Sequence, residues 1–148
     1  MFSVAEVMNT ELITLAEDNT VKDARELMSA HHIRHIPVVN GSNRLLGLVS
    51  QRDVLAAADS TLLVSPGDAE AQEAFVPVSS VMTVSVNTIE ETANLRGAAL
   101  YMQKHKIGCL PVVRGENLVG IITDSDFVSV AINLMEQMEE LEPEEFDE

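Results

Sequence analysis

The sequence predicts an α/β fold of the α+β type, built from two tandem, pseudo-symmetric copies of one strand-helix-strand-strand-helix unit. The first observation is an internal repeat. Residues 4–42 align with 78–116 and, once Asn43 is skipped, residues 44–58 align with 117–131, with 17 of 54 pairs identical. The second observation is that the hydrophobic periodicity changes in the same order within each copy. Two copies fit a pseudo-symmetric pair, because a solenoid needs about three or more repeats.

A strand and a helix open each copy. Short apolar runs predict strands at 12–15 and 84–89, and each run is followed by turn or cap residues. The helices that follow bring their apolar residues onto one face. These residues are Val21, Ala24, Leu27 and Met28 in the first copy and Leu95, Ala98, Tyr101 and Met102 in the second. Thr20 and Asp23 have the spacing of a capping box, which indicates where the first helix starts.

A hairpin follows the first helix of each copy. Short strands that contain a proline are predicted at 36–39 and 110–113. A glycine-containing turn then leads into a second apolar strand, which includes Gly47 in the first copy and Gly120 in the second. The two strands of each copy are therefore expected to pair in antiparallel fashion.

The chain is expected to divide into two repeats, a connector and a tail. The predicted boundaries are 1–58 for the first repeat, 59–77 for the connector, 78–138 for the second repeat with an extended last helix, and 139–148 for an acidic tail expected to be disordered. The second helix of each repeat should start near Arg52 or Ser125, and the later one should run to about Leu141. This helix is longer than repeat 2 needs, and a partner helix could cover its apolar residues.

The clearest functional signal lies where the hairpin meets the next helix. Ser50 precedes Asp53 by three residues, and Thr123 precedes Asp126 by the same spacing. A helix start offers unpaired N–H groups and a positive dipole end to a phosphate, and a carboxylate beside it can accept hydrogen bonds from sugar hydroxyls. The same spacing also forms a capping box. Ligand binding and helix capping therefore both remain open, and they can coexist.

Composition excludes several classes of function. The net charge is −15, and eight of the 24 acidic residues lie in residues 136–148. This charge repels polyanions, and aromatic residues are only 3% with no Trp, so nucleic-acid binding is not expected. No apolar run approaches the roughly 20 residues of a membrane span, so no membrane insertion is expected. The N-terminus lacks a signal-peptide pattern and Cys109 is the single cysteine, which together indicate a cytoplasmic protein.

Metal binding and catalysis fit the sequence poorly. His31, His32 and His35 are possible metal ligands, but they close a helix, and no cysteine or second histidine cluster completes a coordination shell. The sequence contains no P-loop and no dinucleotide-binding glycine motif, and no positioned Asp–His pair is evident for Ser50 or Thr123. We therefore expect no metal site, no catalytic cofactor and no enzyme activity.

The ordered motifs of each copy resemble the CBS-domain family. They are a Val-Met pair at the start, a Pro-Val-Val strand, and a Gly-apolar-apolar-Ser/Thr-x-x-Asp segment at the end. The resemblance covers almost all of residues 4–131. Two tandem copies of this kind are similar to a Bateman module. This resemblance implies two β-α-β-β-α units that pack through their sheets and leave two related clefts between them.

The resemblance also assigns roles to residues. The ribose-binding positions correspond to Ser50, Asp53, Thr123 and Asp126. The adenine-lining positions correspond to Ile13, Ile33, Leu48, Asn87, Ile107 and Ile121. The phosphate-binding positions correspond to Arg34, His35 and Arg52. The matching positions of repeat 2 hold Gly108, Cys109 and Ser125. Because Asp124 adds a negative charge there, the repeat 1 motif is expected to bind the more charged ligand.

The resemblance implies a regulatory rather than a catalytic protein. The leading hypothesis is a stand-alone regulatory module that binds AMP, ADP, ATP or S-adenosylmethionine and signals to a partner protein. A ligand-free interaction scaffold, or an accessory subunit of an enzyme or transporter, is the alternative. A homodimer is expected, because such a pair exposes one flank of its helices.

Overall fold

The computed structural model describes residues 2–59 and 73–141, and it confirms the predicted α/β fold. The helices are α1 (Val21–His31), α2 (Gln51–Asp59), α3 (Leu95–His105) and α4 (Asp124–Leu141). The strands are β1 (His35–Val39), β2 (Leu45–Ser50), β3 (Ile89–Glu90), β4 (Cys109–Arg114) and β5 (Asn117–Thr123). Two short 3-10 helices lie at Val4–Glu6 and Val78–Ser80. No helix in the described ranges is long and apolar enough to cross a membrane.

Each repeat contains the predicted antiparallel hairpin. Strand β1 pairs with β2, and β4 pairs with β5 in the same register, so that Val38 lies opposite Gly47 and Val112 lies opposite Gly120. Strand β3 adds to the second hairpin in parallel with β4. The prolines Pro37 and Pro111 are buried within these hairpins. The repeat seen in the sequence is therefore a repeat of strand pairing as well.

The first strand of each repeat is much shorter than predicted. In repeat 1 only Leu15 forms a bridge, to Val38, and in repeat 2 only Ile89 and Glu90 pair with β4. The apolar residues before them are not in a ladder, and Ile13 instead packs against the first hydrophobic core. Over these ranges most of the apolar residues do not pair as strands, and Val84 is 68% exposed, so the sequence prediction of strands at 12–15 and 84–89 was wrong in extent.

Capping interactions define the ends of α1 and α3. The predicted capping box is present: the Asp23 N–H donates to Thr20 Oγ1 at 3.2 Å, and the Thr20 N–H donates to Asp23 Oδ2 at 2.9 Å. At the other end, His32 and Lys106 are left-handed C-cap residues with φ of 54°. This conformation ends both helices at equivalent positions and turns the chain toward the hairpin.

The N-terminal segments of the two repeats are exchanged between the two hydrophobic cores. Val4 is fully buried in the core formed by α3, β4 and β5, and Val78 is fully buried in the core formed by α1, β1 and β2. Backbone pairing follows the same exchange, because Asn9 bridges to Ile121 and Thr83 bridges to Leu48. Neither core can therefore form from one sequence repeat alone.

The part of the chain between the repeats is attached to α1 where the structure describes it. Residues 60–72 lie outside the described residues, and so does most of the predicted connector. Glu73 is 3% exposed, and its carboxylate lies 2.6 Å from a guanidinium nitrogen of Arg25. At the C-terminus, residues 139–141 of the predicted tail belong to α4, and residues 142–148 lie outside the described residues.

Candidate functional site

Two open clefts of nearly equal size lie between the repeats. Cleft A, about 620 Å³, contains Ser50 and Asp53. Cleft B, about 610 Å³, contains Thr123 and Asp126. Each cleft therefore includes one of the two strand-to-helix junctions that the sequence singled out.

The hydroxyl residue and the aspartate of each junction form hydrogen bonds to each other at the helix start. The Ser50 N–H donates to Asp53 Oδ2 at 2.8 Å, and the Asp53 N–H donates to Ser50 Oγ at 3.1 Å. In the second junction the Thr123 N–H and hydroxyl donate to Asp126 Oδ2 at 2.8 and 3.3 Å. Within the described residues, Oδ1 of both aspartates lacks a hydrogen-bond donor. One carboxylate oxygen therefore caps the helix, and the other remains available to a ligand.

Each cleft combines apolar residues from both repeats. In cleft A, Leu48 of repeat 1 lies with Asn87 and Ile107 of repeat 2. In cleft B, Ile121 of repeat 2 lies with Ile13 and Ile33 of repeat 1. The six positions identified as adenine-lining are thus divided three and three between the clefts. In each case two of the three face the aspartate of the other repeat.

Basic residues are distributed unequally between the clefts. Of the three positions identified as phosphate-binding, Arg52 lines cleft A alone, whereas Arg34 and His35 line both clefts. Cleft A also includes Lys106, which the sequence analysis did not assign to a site. The sequence did contain a sign of this role for Lys106, because Lys106 aligns with His32, a basic residue at the end of the first helix.

The charge balance follows from these positions. Cleft A has three arginine or lysine side chains, against the carboxylates of Asp53 and Asp124. Cleft B has Arg34 alone, against three carboxylates from Glu11, Asp124 and Asp126. Cleft A therefore complements a phosphate group better than cleft B does.

The two helix starts also differ in which N–H groups are available. The Gln51 N–H donates to the Arg34 carbonyl at 2.8 Å, and the equivalent Asp124 N–H donates to the Gly108 carbonyl at 3.0 Å. In cleft B the next N–H, that of Ser125, donates to Asp124 Oδ1 at 2.8 Å. The equivalent N–H of Arg52 in cleft A has no acceptor in the part of the chain that the structure describes.

Burial changes the acid–base behaviour of two residues near the clefts. It lowers the pKa of His35, against the opposing effect of the carboxylates of Asp124 and Asp53, so the imidazole favours its neutral form. Burial also raises the pKa of the Cys109 thiol to about 12, and the charges of Asp124 and Asp126 act in the same direction. Cys109 is therefore a protonated thiol rather than a nucleophile at neutral pH.

The groups that line each cleft are suited to holding a ligand. Within residues 2–59 and 73–141, no group of three or more His, Cys, Asp or Glu residues lies close enough to hold a metal ion. Each cleft instead brings together apolar walls, a carboxylate beside a helix start and a hydroxyl residue. These groups complement a flat heterocycle, vicinal hydroxyls and, in cleft A, an anion.

Comparison with known proteins agrees with this arrangement. The sequence profile of the CBS domain matches residues 4–60 and again residues 78–133. The CBS domain-containing protein YhcV of Bacillus subtilis is 33% identical over 135 residues, which are 91% of this chain and 87% of that protein. Homoserine O-acetyltransferase of Methanocorpusculum labreanum is 34% identical over 122 residues, but the chain spans only 22% of that enzyme.

Solved structures show the same fold. A Vibrio cholerae protein named for acetoin utilization (AcuB) is 48% identical, with a TM-score of 0.81 over 95% of this chain and 97% of its own. The structure of CBSX2 in complex with AMP is 26% identical, with a TM-score of 0.77 over 91% of this chain and 99% of its own. The likeness extends over both repeats.

Proposed function

The chain belongs to the CBS-domain family and contains two CBS domains in tandem, and from this premise we propose that it is a regulatory module for an adenosine-containing ligand. The ligand would bind in the clefts between the domains, and the binding event would be passed to a partner protein. The class of ligand comprises AMP, ADP, ATP and S-adenosylmethionine.

The observation that carries this proposal is the composition of the two clefts. Each combines a helix-start aspartate, with one carboxylate oxygen available, and an apolar wall built from both repeats. A ligand with an adenine ring and a ribose would contact both repeats at once. Its binding free energy would therefore depend on how the repeats are packed, and this dependence is what a regulatory ligand needs to shift a conformational equilibrium.

The similarity to CBSX2 supports the ligand class. That protein was solved with AMP, and its likeness to this chain extends over both repeats. We propose that cleft A binds the phosphorylated adenosyl ligand, because Arg34, Arg52 and Lys106 line it and the Arg52 N–H is available there. Ser50 and Asp53 would then contact the ribose, with Leu48, Asn87 and Ile107 around the adenine.

The similarity to larger enzymes supports the regulatory part of the proposal. In the homoserine O-acetyltransferase relative, the matching region is about a fifth of the protein. We infer that this chain also acts on a partner, which would be an enzyme or a transporter, and that it forms a homodimer. The 48% identity to AcuB makes acetoin utilization the process in which to look for that partner.

A thermal-shift panel tests the proposal directly. The ligands are AMP, ADP, ATP with and without Mg²⁺, NAD and S-adenosylmethionine. A ligand that binds only the folded state and is present at 100 times its Kd stabilises it by about 2.7 kcal/mol, which corresponds to a rise in unfolding midpoint of roughly 5–10 °C. No rise with any member would leave the ligand-free scaffold as the better account.

Substitution of the aspartates assigns the binding to the clefts. Asp53→Asn should retain the fold. Because Asp53 lies at a helix start, the substitution should lower the free energy of unfolding by about 1 kcal/mol or less. It should weaken nucleotide binding about tenfold or more, because a carboxylate that accepts from both ribose hydroxyls makes charge-assisted hydrogen bonds. Asp126→Asn is the matched variant and should mainly weaken binding in cleft B. Calorimetric titration that shows unchanged affinities in both variants would reduce the aspartates to helix caps.

A further inference from the structure

Four residues line both clefts and form a shared wall between them. Arg34 and His35 come from repeat 1, and Gly108 and Asp124 come from repeat 2. The wall is chemically asymmetric, because repeat 1 contributes two basic residues and repeat 2 contributes a glycine and a carboxylate.

Asp124 occupies the same place in α4 that Gln51 occupies in α2. Both are the first residue of the helix, and both donate their backbone N–H to a carbonyl of their own repeat, Gln51 to Arg34 and Asp124 to Gly108. The side chains differ in charge. The Asp124 carboxylate accepts the Ser125 N–H at 2.8 Å, and its other oxygen lies 3.4 Å from the position that a Cβ on Gly108 would occupy.

The carboxylate of Asp124 therefore occupies the place where the helix start would otherwise favour an anion. The start of a helix stabilises negative charge, through its N–H groups and its dipole. In α4 a side-chain carboxylate already uses this position, and it would repel a phosphate brought close to it. In α2, Gln51 is uncharged and the neighbouring residue is Arg52, so the same position remains favourable to an anion.

Arg34 can offset the negative charge of the Asp124 carboxylate only in part. It is the one arginine or lysine among the described residues that line cleft B, and it also lines cleft A. A phosphate in cleft A would attract the same guanidinium, because Arg34 lines that cleft too. Cleft B would then have to bind a phosphate against three carboxylates, with His32 as the one basic residue of the described ranges that lines it and not cleft A.

We propose that Asp124 restricts cleft B to adenosine-containing ligands without a phosphate group, whereas Gln51 leaves cleft A open to phosphorylated ones. The class includes adenosine itself and adenosyl compounds with a cationic sulfonium group, which the carboxylates of cleft B would attract. The inference rests on the proposed adenosyl-binding function. It makes the protein a sensor of two adenosyl ligands, of which only the one in cleft A carries a phosphate group.

Exchange of the two equivalent residues tests this proposal. Asp124→Gln gives α4 the side chain of α2, and Gln51→Asp gives α2 the side chain of α4. Cleft B is measured alone in the Asp53→Asn background and cleft A alone in the Asp126→Asn background. The probes are adenosine and ADP, titrated by calorimetry, and circular dichroism checks that each variant is folded.

The expected results are reciprocal. Asp124→Gln should raise the affinity of cleft B for ADP by about tenfold or more and should change its affinity for adenosine by less than about threefold. Gln51→Asp should lower the affinity of cleft A for ADP by a similar factor, again with little effect on adenosine. S-adenosylmethionine should respond to Asp124→Gln in the opposite direction from ADP.

The failure of this inference can be told apart from the failure of the proposed function. If adenosine binds both clefts but the preference for ADP does not follow residues 51 and 124, the assignment of selectivity to Asp124 is wrong and the adenosyl function stands. Tight binding of ADP in cleft B of the unsubstituted protein would also overturn the assignment of selectivity to Asp124 and would leave the adenosyl function standing. If neither probe binds the unsubstituted protein, the proposed function fails and this inference fails with it.

Discussion

At the scale of single residues, position rather than residue type determines chemical behaviour. Cys109 starts β4 and lines cleft A, but it is only 3% exposed. Its neighbours Asp124 and Asp126 add negative charge, so a thiolate there would be both desolvated and repelled. An isolated cysteine in the sequence gave no indication of this environment, which forms because Cys109 pairs with Thr123 and so lies beside the start of α4 in the same repeat.

We expect Cys109 to react slowly in the folded protein. With a pKa of about 12, its thiolate fraction at pH 8 is about one in ten thousand, compared with about one in ten for a thiol with the ordinary pKa of 9.0. Alkylation by iodoacetamide at pH 8 should therefore be at least about a hundredfold slower in buffer than in urea. Equal rates in the two conditions would contradict the described burial.

The same shift gives a pH dependence of stability. Because the folded pKa of Cys109 lies above its ordinary value of 9.0, the unfolded state loses this proton first as the pH rises. The contribution of the protonated thiol to stability is complete below pH 9 and is lost progressively toward pH 12. Cys109→Ala should show a smaller loss of unfolding free energy over that range.

At the scale of secondary-structure elements, the exchange of N-terminal segments depends on two glycines. The segment after Val78–Ser80 passes over β2 at Gly47, and the segment after Val4–Glu6 passes over β5 at Gly120. A Cβ on Gly47 would lie 2.5 Å from Met82 Sδ and 2.9 Å from the Thr83 carbonyl oxygen. Both glycines are buried, and neither has a positive φ, so the requirement is for space rather than for a special backbone conformation.

We expect Gly47→Ala to destabilise the protein by about 1–3 kcal/mol, as is usual for the addition of atoms to a packed interior. Gly120→Ala should cost less, because the backbone oxygen near it, that of Asn9, is 3.2 Å away and Met8 can move. Gly41→Ala is the control, since nothing lies within 4 Å of its Cβ position. Urea unfolding checks the order, which is wrong if Gly47→Ala is as stable as Gly41→Ala.

At the scale of the whole molecule, α4 is the element that a second chain would cover. None of its residues is buried, although the helix is 18 residues long. Its exposed large apolar residues are Val128, Ile132, Leu134, Met135, Met138 and Leu141. Val128, Ile132 and Met135 follow each other at spacings of four and three, which places them on one side of the helix.

We expect the protein to sediment as a dimer at micromolar concentration, because burial of this apolar surface favours association. Truncation after Val130 should weaken the dimer, and so should Met135→Glu. Asn133→Glu is the matched control, because it adds the same charge to an exposed position on the opposite side of α4. A 16.1 kDa monomer at that concentration would contradict the prediction.

Local sequence patterns were enough to predict the repeat, the helices α1 to α4 and the two hairpins. These features depend on local spacing: apolar residues at intervals of three and four for α1 and α3, and a hydroxyl residue three positions before an aspartate for the starts of α2 and α4. The capping box of Thr20 and Asp23 formed as predicted. The helices and hairpins predicted for one copy were also predicted at the equivalent positions of the other, and the hairpins have the same register in both.

Which residues share a cleft depends on contacts between the repeats, and the sequence alone did not reveal these contacts. The sequence analysis assigned Arg34 and His35 to repeat 1, but both line the wall that the two clefts share. The exchange of the N-terminal segments was equally inaccessible, because it depends on contacts between distant residues, such as Asn9 with Ile121 and Leu48 with Thr83. Hydrophobic periodicity reports that a side chain is buried but does not report against which part of the chain, and that pairing is what builds the clefts.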